Sequence, residues 1–294
     1  MIRLATRGSA LALAQARLVA SVLGDEVELV EVRTSGDARR AVGDKSRWVK
    51  EIEEALLDGR ADLAVHSAKD VPGVLPDGLA IVGVPERADP RDAVCGAASL
   101  DALPEGAVVG TSALRRRAQL LAARPDLDVR DLRGNVDTRL RRLADGDFDA
   151  VVLAAAGLRR LGRADAGAPA GADVLTPAPG QGCLALEARD DDERVRDLAG
   201  AITNRAALTA FTAERALVDA LDATCDTPVG AFAELLDGGD GLRVSAFAGL
   251  PDGSTWVRDA VEGEGADPAA LGTEVAGRML AAGAGEVLAA AAGA

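Results

Sequence analysis

Four clusters of hydroxyl-bearing and charged side chains each follow a short apolar run of the sequence. In an open α/β sheet, ligands bind beyond the carboxyl ends of the strands, where helix N-termini offer unpaired N–H groups to anions. A cleft lined by guanidinium and hydroxyl groups from such strand ends would bind a polycarboxylate or a polyphosphate, because arginine pairs bidentately with these groups and keeps its charge. The clusters are Arg7 and Ser9 after IRLAT; His66, Ser67, Lys69 and Asp70 after DLAV; Thr111, Ser112, Arg115 and Arg116 after AVVG; and Arg133, Gly134, Asn135 and Arg139 after LDVRDL.

Alternatives stay open for single residues in these clusters. Asp70 can equally pair with Lys69 or cap a turn. His66 is interpreted as a structural residue rather than a catalytic base, because no partner pattern for nucleophilic catalysis accompanies it. Arginines on helices are usually solvated, and this interpretation is preferred for four of them. These are Arg117, Arg124, Arg141 and Arg142.

The cysteines indicate neither a disulfide framework nor a zinc site. Cys95, Cys183 and Cys225 are odd in number and lack C-x-x-C spacing, and the chain has one histidine. Cys95 and Cys183 lie in apolar, strand-like segments, where a thiol is usually a small buried hydrophobe. Cys225 lies in the polar segment ALDATCDTPVGAF and is the thiol best placed for covalent work, although two flanking aspartates would raise its pKa.

Composition narrows the function classes. The 294 residues are 48% apolar and can bury a sizeable core, whereas the net charge of −14 disfavours nonspecific binding to nucleic acid. The segment 111–142 departs from this balance, with nine Arg against four Asp. No run of 18 apolar residues and no signal segment is visible, so we expect a cytoplasmic protein without a membrane partner.

Hydrophobic periodicity switches repeatedly between 2 and 3.6 residues, which predicts an α/β protein. Strands are predicted at IRLAT, VELVEVR, DLAV, AVVG, LDVRDL, FDAVVLAA and CLALEAR. Helices are predicted after Ser9, with Leu11, Leu18 and Val22 on one face; in WVKEIEEALLDG, with Val49, Ile52 and Leu56 on one face; from Ala113 to Ala123; from near Asn135; and from Asn204 to Leu221, carrying Leu208, Phe211, Leu217 and Leu221.

The last quarter of the chain differs in kind. AFAELLD, LRVSAFAGL and TWVRDAVEG read as three strands separated by turns, and one Ala-rich helix follows them. We therefore predict two α/β domains and a smaller C-terminal α+β domain with a three-stranded antiparallel sheet. Hinges are expected near residues 85–90 and 176–183.

Eight motifs in this order and spacing make the chain similar to the porphobilinogen deaminase family, also called hydroxymethylbilane synthase. The resemblance spans nearly the whole chain up to about residue 250. The motifs are ATRGSALALAQA, DLAVHSAKDVP, GTSALRRRAQL, DLRGNVDTRL, AAAGLRRLG, PAPGQG, TAERA and CDTPVGAF.

The resemblance implies three domains, of which the first two fold like periplasmic solute-binding proteins. On this basis residues 1–84 and 184–202 form domain 1, residues 89–177 form domain 2, and residues 206–294 form domain 3. It also implies a monomeric transferase of tetrapyrrole and haem biosynthesis, which joins four porphobilinogens head to tail into hydroxymethylbilane and releases ammonia.

The resemblance also assigns site residues. Asp70 matches the family's catalytic aspartate and would offset positive charge on the reacting pyrroles. A dipyrromethane cofactor would be held by a thioether to Cys225, which reacts only once, so a raised pKa is no obstacle. The other cofactor-binding residues would be Lys69, Asp70, Ser67, Thr111, Ser112, Arg115, Arg116, Arg133, Gly134 and Arg139. The substrate-binding residues would be Arg7, Ser9, Lys45, Trp48, Lys50 and Gln181, and no metal is implied.

The sequence departs from the family pattern at several points. Residues 44–48 read DKSRW where relatives commonly have a glycine-containing loop, and Ala223 and Thr224 precede Cys225 where many have two glycines. Ala113 replaces a serine, so one hydroxyl donor is missing. An arginine often found between the Leu-Gly and Gly-Gln-Gly motifs has no counterpart except Arg163, which we leave out of the site.

A different class of protein also fits this architecture. A two-lobed solute-binding protein for a polycarboxylate would need the same cleft and no chemistry. The absence of an export signal and the cysteine in a polar loop favour the enzyme. A nucleotide-binding enzyme is disfavoured because neither GxGxxG nor GxxxxGK[ST] occurs.

Overall fold

The structure is a computed structural model that describes residues 1–24, 26–34, 49–224, 226–236 and 238–293. The strands of this part of the chain are β1 (Ile2–Arg7), β2 (Val27–Val32), β3 (Leu63–Ser67), β4 (Leu79–Gly83), β5 (Asp92–Cys95), β6 (Val108–Gly110), β7 (Asp128–Arg130), β8 (Ala150–Ala154), β9 (Ala168–Pro169), β10 (Leu184–Arg189), β11 (Val229–Leu235), β12 (Gly241–Gly249) and β13 (Trp256–Glu264).

Helices connect most of these strands. They are α1 (Ala10–Leu23), α2 (Lys50–Leu57), α3 (Leu114–Ala123), α4 (Val136–Ala144), α5 (Ala155–Arg160), α6 (Glu193–Ala201), α7 (Arg205–Ala220), α8 (Pro268–Ala281) and α9 (Ala284–Ala292), with short 3-10 turns at Ala68–Asp70 and Ala164–Ala166. Side chains cap several of the helix N-termini, as expected for Ser, Asn and Asp. Ser9 caps α1, Asn135 caps α4 and Asn204 caps α7.

Two five-stranded sheets share one plan. The first has the order β2-β1-β3-β10-β4 and the second β7-β6-β8-β5-β9. In each sheet three strands run parallel, and a strand next to them, β10 or β5, runs antiparallel to both of its neighbours. The chain therefore passes between the sheets twice, after β4 and before β10.

Alternating side chains of the strands in the first sheet belong to two different apolar cores. Leu4 and Leu63 lie in one apolar cluster, whereas the adjacent Ala5 and Ala64 lie in another. Successive side chains of a strand point to opposite faces, so this sheet is covered by apolar groups on both sides. The polar residues Arg7 and Ser67 are the last residues of β1 and β3, so they lie at the carboxyl ends of these strands.

The third sheet is an antiparallel meander with the order β11-β12-β13. Its core includes Leu217 of α7, Val244 of β12 and Met279 of α8, all fully buried. These three sheets confirm the predicted fold class. Each sheet is built from strands that fall within one of the predicted domain ranges, while the domain boundaries themselves stay a prediction.

Three details of the predicted helices are wrong. The buried face of α1 consists of Gln15, Ala16 and Val19, whereas Leu18 and Val22 are 50% and 59% exposed, so the predicted apolar face is not the one that packs against the sheet. Leu208 of α7 is also exposed. The single C-terminal helix is two helices, α8 and α9, bent by 80° at Gly283, whose φ of 95° interrupts the helix.

Among the described residues, none of the individual helices has both the length and the apolar character needed to cross a membrane. Only α8 and α9 taken together, as a bent pair, pass that test.

A buried ion pair ties the crossing segments to the third sheet. The guanidinium of Arg87 lies 2.7 Å from Oε1 and 3.2 Å from Oε2 of Glu214, whose side chain has no exposed surface. The same carboxylate accepts the backbone N–H groups of Gly180 at 2.6 Å and Ala233 at 2.8 Å. Arg87 also donates to the carbonyl of Gln181. The carboxylate of Glu214, on α7, thus connects both chain crossings with β11.

Removing this charge should destabilise the fold. Glu214→Gln keeps the shape of the side chain but leaves Arg87 as an uncompensated buried cation, which we expect to lower the free energy of unfolding by about 3 kcal/mol or more. Urea denaturation followed by circular dichroism measures the change. Asp128→Asn, which removes an exposed pair with Arg130, is the control and should cost less than about 1 kcal/mol. Equal shifts in the two variants would contradict the assignment.

Candidate active site

A cavity of about 1200 Å³ lies between the two five-stranded sheets, at the carboxyl ends of β1, β3, β6, β7 and β8. This is the position expected for a ligand of an open α/β sheet. The predicted site residues on its wall are Arg7, Ser9, Ser67, Lys69, Asp70, Ser112, Arg116, Arg133, Gly134, Arg139 and Gln181. The structure therefore brings eleven of the predicted residues to one surface.

Asp70 reaches the cavity from a short turn at the end of β3. The apolar strand Leu63–Ser67 is followed by a single 3-10 turn, Ala68–Asp70, whose Ala68 is buried. Ser67 accepts a hydrogen bond from the side chain of Gln15 at 2.8 Å. The Lys69 ammonium donates to Oε1 of Gln181 at 3.3 Å. The turn thus holds an anionic and a cationic side chain at the same wall.

Arg139 is a desolvated guanidinium on the opposite wall. It donates to the carbonyl of Gly134 at 2.8 Å and to the hydroxyl of Ser112 at 3.2 Å. Burial and the nearby charge of Arg116 together lower the pKa of Arg139 to about 10, against the opposing effect of Asp131. No carboxylate of the described residues lies within salt-bridge distance of it, so an incoming anion would relieve this cost.

The loop before α4 needs its glycine. Gly134 has a φ of 114°, and a Cβ at this position would lie 2.9 Å from Cγ2 of Thr138. The next residue, Asn135, accepts the backbone N–H of Thr138 and begins the helix that carries Arg139. The adjacent Arg133 is exposed and pairs with Asp131 at 2.8 Å.

Arg160 is a cavity residue that the sequence analysis missed. It lies on the cavity wall at the end of α5, donates to the carbonyl of Gly182 at 2.7 Å, and has a buried Nε without a hydrogen-bond partner among the described residues. Burial lowers its pKa. Arg163 pairs with Asp137 at 3.9 Å, is exposed and does not line the cavity. The sequence could have indicated Arg160, because its motif AAAGLRRLG follows the predicted strand FDAVVLAA just as the other polar clusters follow predicted strands.

Arg115 differs from the prediction that it binds an external carboxylate. It is buried 2.8 Å from Asp92 and donates to the carbonyl of Thr176, away from the cavity wall. Arg116 pairs with the other oxygen of Asp92 at 2.8 Å and reaches the wall. The two guanidiniums hold the pKa of Asp92 well below its usual range, against the effect of burial. Gln181 donates to Asp92 as well, at 2.8 Å, which links this cluster to Lys69.

Two further predicted residues lie away from the cavity wall, and three lie outside the part of the chain that the structure describes. Thr111 is buried and accepts the N–H of Ala113, and Lys50 is exposed beside Glu54 at 4.0 Å. Lys45, Trp48 and Cys225 lie outside the described residues. Asp226, the residue after Cys225, lines the cavity.

The two described cysteines are poor nucleophiles. Cys95 and Cys183 are buried, and burial raises the pKa of their thiols to about 11 and about 12. Their predicted role as small buried hydrophobes is confirmed. Among the described residues no group of three or more His, Cys, Asp and Glu side chains is arranged to hold a metal ion.

Together, the fold and the cavity define an α/β protein with an arginine-rich cavity between two sheets, which would suit a carboxylate-rich ligand. The side chains fit such a ligand, because an anion would supply the partner that the buried Nε of Arg160 lacks among the described residues and would offset the desolvation of Arg139.

Comparison with known proteins identifies the family. The model for the porphobilinogen deaminase, dipyromethane cofactor binding domain matches residues 2–197, and the model for the C-terminal domain matches residues 208–281. The chain belongs to the porphobilinogen deaminase family.

Curated relatives agree over nearly the full length. The porphobilinogen deaminase of Nitratidesulfovibrio vulgaris strain Hildenborough is 46% identical over 303 residues, which cover 97% of this chain and 95% of that protein. That of Roseiflexus sp. strain RS-1 is 48% identical over 288 residues, covering 94% of each. Among solved structures, a periplasmic substrate-binding protein of an ABC transporter from Coxiella burnetii is 17% identical, with a TM-score of 0.42 over 71% of this chain and 94% of that one.

The family membership establishes the activity. The chain is a transferase with a dipyrromethane cofactor, and it joins four porphobilinogens into hydroxymethylbilane with release of ammonia. The alternative of a solute-binding protein without chemistry is not supported.

Proposed function

We propose that Asp70 is the catalytic carboxylate of this enzyme and that the arginines around the same cavity bind the carboxylates of substrate and cofactor. The observation that carries this proposal is the single cavity lined by Asp70, Lys69 and six arginines. These arginines are Arg7, Arg116, Arg133, Arg139, Arg142 and Arg160.

Asp70 has the charge that the reaction needs. Positive charge develops on the substrate pyrrole as ammonia leaves it, and a fixed carboxylate stabilises that charge more than it stabilises the neutral reactant. Asp70 would also accept hydrogen bonds from pyrrole N–H groups and so orient the ring. Preorganised groups of this kind typically contribute about 3 kcal/mol to lowering a barrier.

The arginines have the complementary task. Each porphobilinogen carries an acetate and a propionate, so every added unit brings two carboxylates into the cavity. Arg139 and Arg160 are the strongest candidates to receive them, because both are desolvated and no carboxylate of the described residues lies within salt-bridge distance of either. Charge-assisted hydrogen bonds from such groups are stronger than those of neutral donors.

Other residues of the wall would orient the ligand. Ser9, Ser67 and Ser112 offer hydroxyl donors, and Gly134 allows the backbone to approach closely. Arg116, held by Asp92, would act mainly as a fixed positive charge. Gln181 would set the position of Lys69.

The dipyrromethane, when bound, supplies the pyrrole to which the first porphobilinogen is joined. We propose that Cys225 holds it by a thioether. The cavity position of Asp226 and the high pKa values of both buried thiols support this assignment. Lys45, Trp48 and Lys50 stay predicted substrate-binding residues.

We also propose that the enzyme works as a cytoplasmic monomer without nucleic-acid or membrane partners. The net charge of −14 supports the absence of a nucleic-acid partner, since a polyanion would be repelled.

The intact mass of the denatured protein tests the attachment. We expect a mass excess of one dipyrromethane in the wild-type protein and in Cys183→Ala, and no excess in Cys225→Ser. Cys183 is the matched control because this buried cysteine is also a residue of the cavity lining. An active protein with the mass of its bare sequence, or a Cys225→Ser variant that keeps the excess, would refute the thioether.

Neighbouring arginines provide matched pairs that test carboxylate binding. Arg160→Leu and Arg139→Leu should each lower kcat/KM by about tenfold to a hundredfold, as expected for the loss of a charged hydrogen bond worth about 1.5–3 kcal/mol. Arg159→Leu and Arg141→Leu, at exposed positions of the same helices, should stay within about twofold of the wild type. Equal losses in both members of a pair would argue against a specific site.

A further inference from the structure

Three ionisable side chains are buried behind the Asp70 turn. Nε2 of His66 on β3 lies 2.8 Å from Oε2 of Glu187 on β10, and the two side chains are 4% and 1% exposed. The strand register pairs His66 with Ala185 and Glu187 with Ala64, so the two lie diagonally on one face of the sheet. Glu53 of α2 is buried as well. Burying ionisable groups is costly unless they are paired and hydrogen-bonded.

Glu53 and Glu187 leave acceptor atoms without partners. In the described residues, Oε1 of Glu53 and Oε1 of Glu187 are both buried and accept no hydrogen bond. Burial and the charge of Glu187 together raise the pKa of Glu53 to about 7, against the opposing effect of His66. Glu53 therefore exchanges a proton in the neutral range, in a cluster that holds one imidazole and a second carboxylate.

Few other charges act on this cluster. Arg3 of β1 pairs with Asp62, and Arg189 of β10 pairs with Asp192. Glu54 raises the pKa of Glu53 slightly. The remaining charged groups on α2 and on the strands packed against it are Arg7, Glu28, Glu31, Lys50 and Glu51.

A small pocket connects the cluster with the active site. Its volume is about 40 Å³, and both His66 and Asp70 line it. Arg7, Gln15 and Ser67 supply further polar groups to its wall, and these three residues and Asp70 also line the large cavity. A polar space needs roughly 10–15 Å³ and two to four polar partners to hold a water molecule, and this pocket meets both conditions.

We propose that His66, Glu187 and Glu53 form a proton relay that exchanges protons with Asp70 through water in this pocket. The proposal rests on the proposed role of Asp70. The three residues act through Asp70 and do not touch the substrate, so the proposal gives His66 a role beyond the structural one predicted from the sequence.

The proton balance of the reaction gives the relay its task. Each condensation forms one C–C bond and breaks one C–N and one C–H bond. The amino group leaves with the C–N electron pair and takes up one proton to become ammonia. The attacked ring carbon loses one proton, and the C–H electron pair restores the aromatic ring. The relay would store the proton released in one condensation and return it, through Asp70, to the amino group that leaves in the next.

The only histidine of the chain makes the relay directly observable. With labelled histidine, the holoprotein gives imidazole NMR signals from His66 alone. We expect these signals to shift with an inflection near pH 7 that reports the titration of Glu53. The inflection should disappear in Glu53→Gln, and it should persist in Glu54→Gln, an exposed position next along the same helix. Imidazole signals in the wild type that do not change between pH 5.5 and 8.5 would overturn the relay.

Kinetics separates a relay from a structural role. Glu53→Gln should lower kcat by about tenfold or more and flatten its pH profile, while KM and the thermal midpoint change little. Wild-type kcat and pH profile in Glu53→Gln would overturn the relay even if the protein is stable. Should Glu53→Gln fail to fold, Asp70→Asn in the holoprotein decides, because a coupled relay requires it to move the pH at which the His66 signals inflect, and an unmoved inflection would overturn the relay.

The two proposals fail in different ways. If Asp70→Asn turns over normally, the proposed role of Asp70 is wrong and the relay falls with it. If Asp70→Asn loses turnover but Glu53→Gln does not, only the relay is wrong.

Discussion

Two buried carboxylates connect the chain segments around the active-site cavity. Asp92 binds Arg115 and Arg116 in the second sheet, and Glu214 binds Arg87 between the chain crossings and the third sheet. Gln181 lies between them and connects Asp92 with Lys69 of the first sheet. Because a buried charge is tolerated only with its partner in place, each pair fixes the separation and angle of the segments that carry it. The positions of these segments in turn set the shape of the cavity walls.

This arrangement leaves the cavity positive inside an anionic protein. Arg87, Arg115 and Arg116 are paired with buried carboxylates of the protein. The desolvated Arg139 and Arg160 have no carboxylate of the described residues within salt-bridge distance. A carboxylate-rich pyrrole chain supplies the missing anions, so each added unit brings the counter-charge that the wall lacks. Asp70 is one of four aspartates that line the cavity, and its place in the turn after β3 suits it to positive charge that appears only during the reaction.

The sequence predicts the fold class and the position of the site because both depend on local patterns. Strand ends, caps such as Asn135 and the polar clusters behind them are visible within a few residues. Local patterns do not show which side chains from distant parts of the chain will pair in the folded protein. Arg115 follows a strand as Arg116 does, but Asp92, over twenty residues earlier, neutralises it in the interior. Arg160 and Arg163 are three residues apart, and only packing against Gly182 decides which of them reaches the cavity. The exposed Leu18 shows the same limit, because periodicity does not say which helix face meets the sheet.

The proposed function has Asp70 drive the reaction in a cavity lined by six arginines. Its most direct test is the intact mass of Asp70→Asn after mixing with porphobilinogen, followed in time beside the wild type. The wild type should pass through masses that increase by successive pyrrole units. Asp70→Asn should keep the mass of its covalent cofactor and add units at least about a hundredfold more slowly. Addition at the wild-type rate would contradict the account.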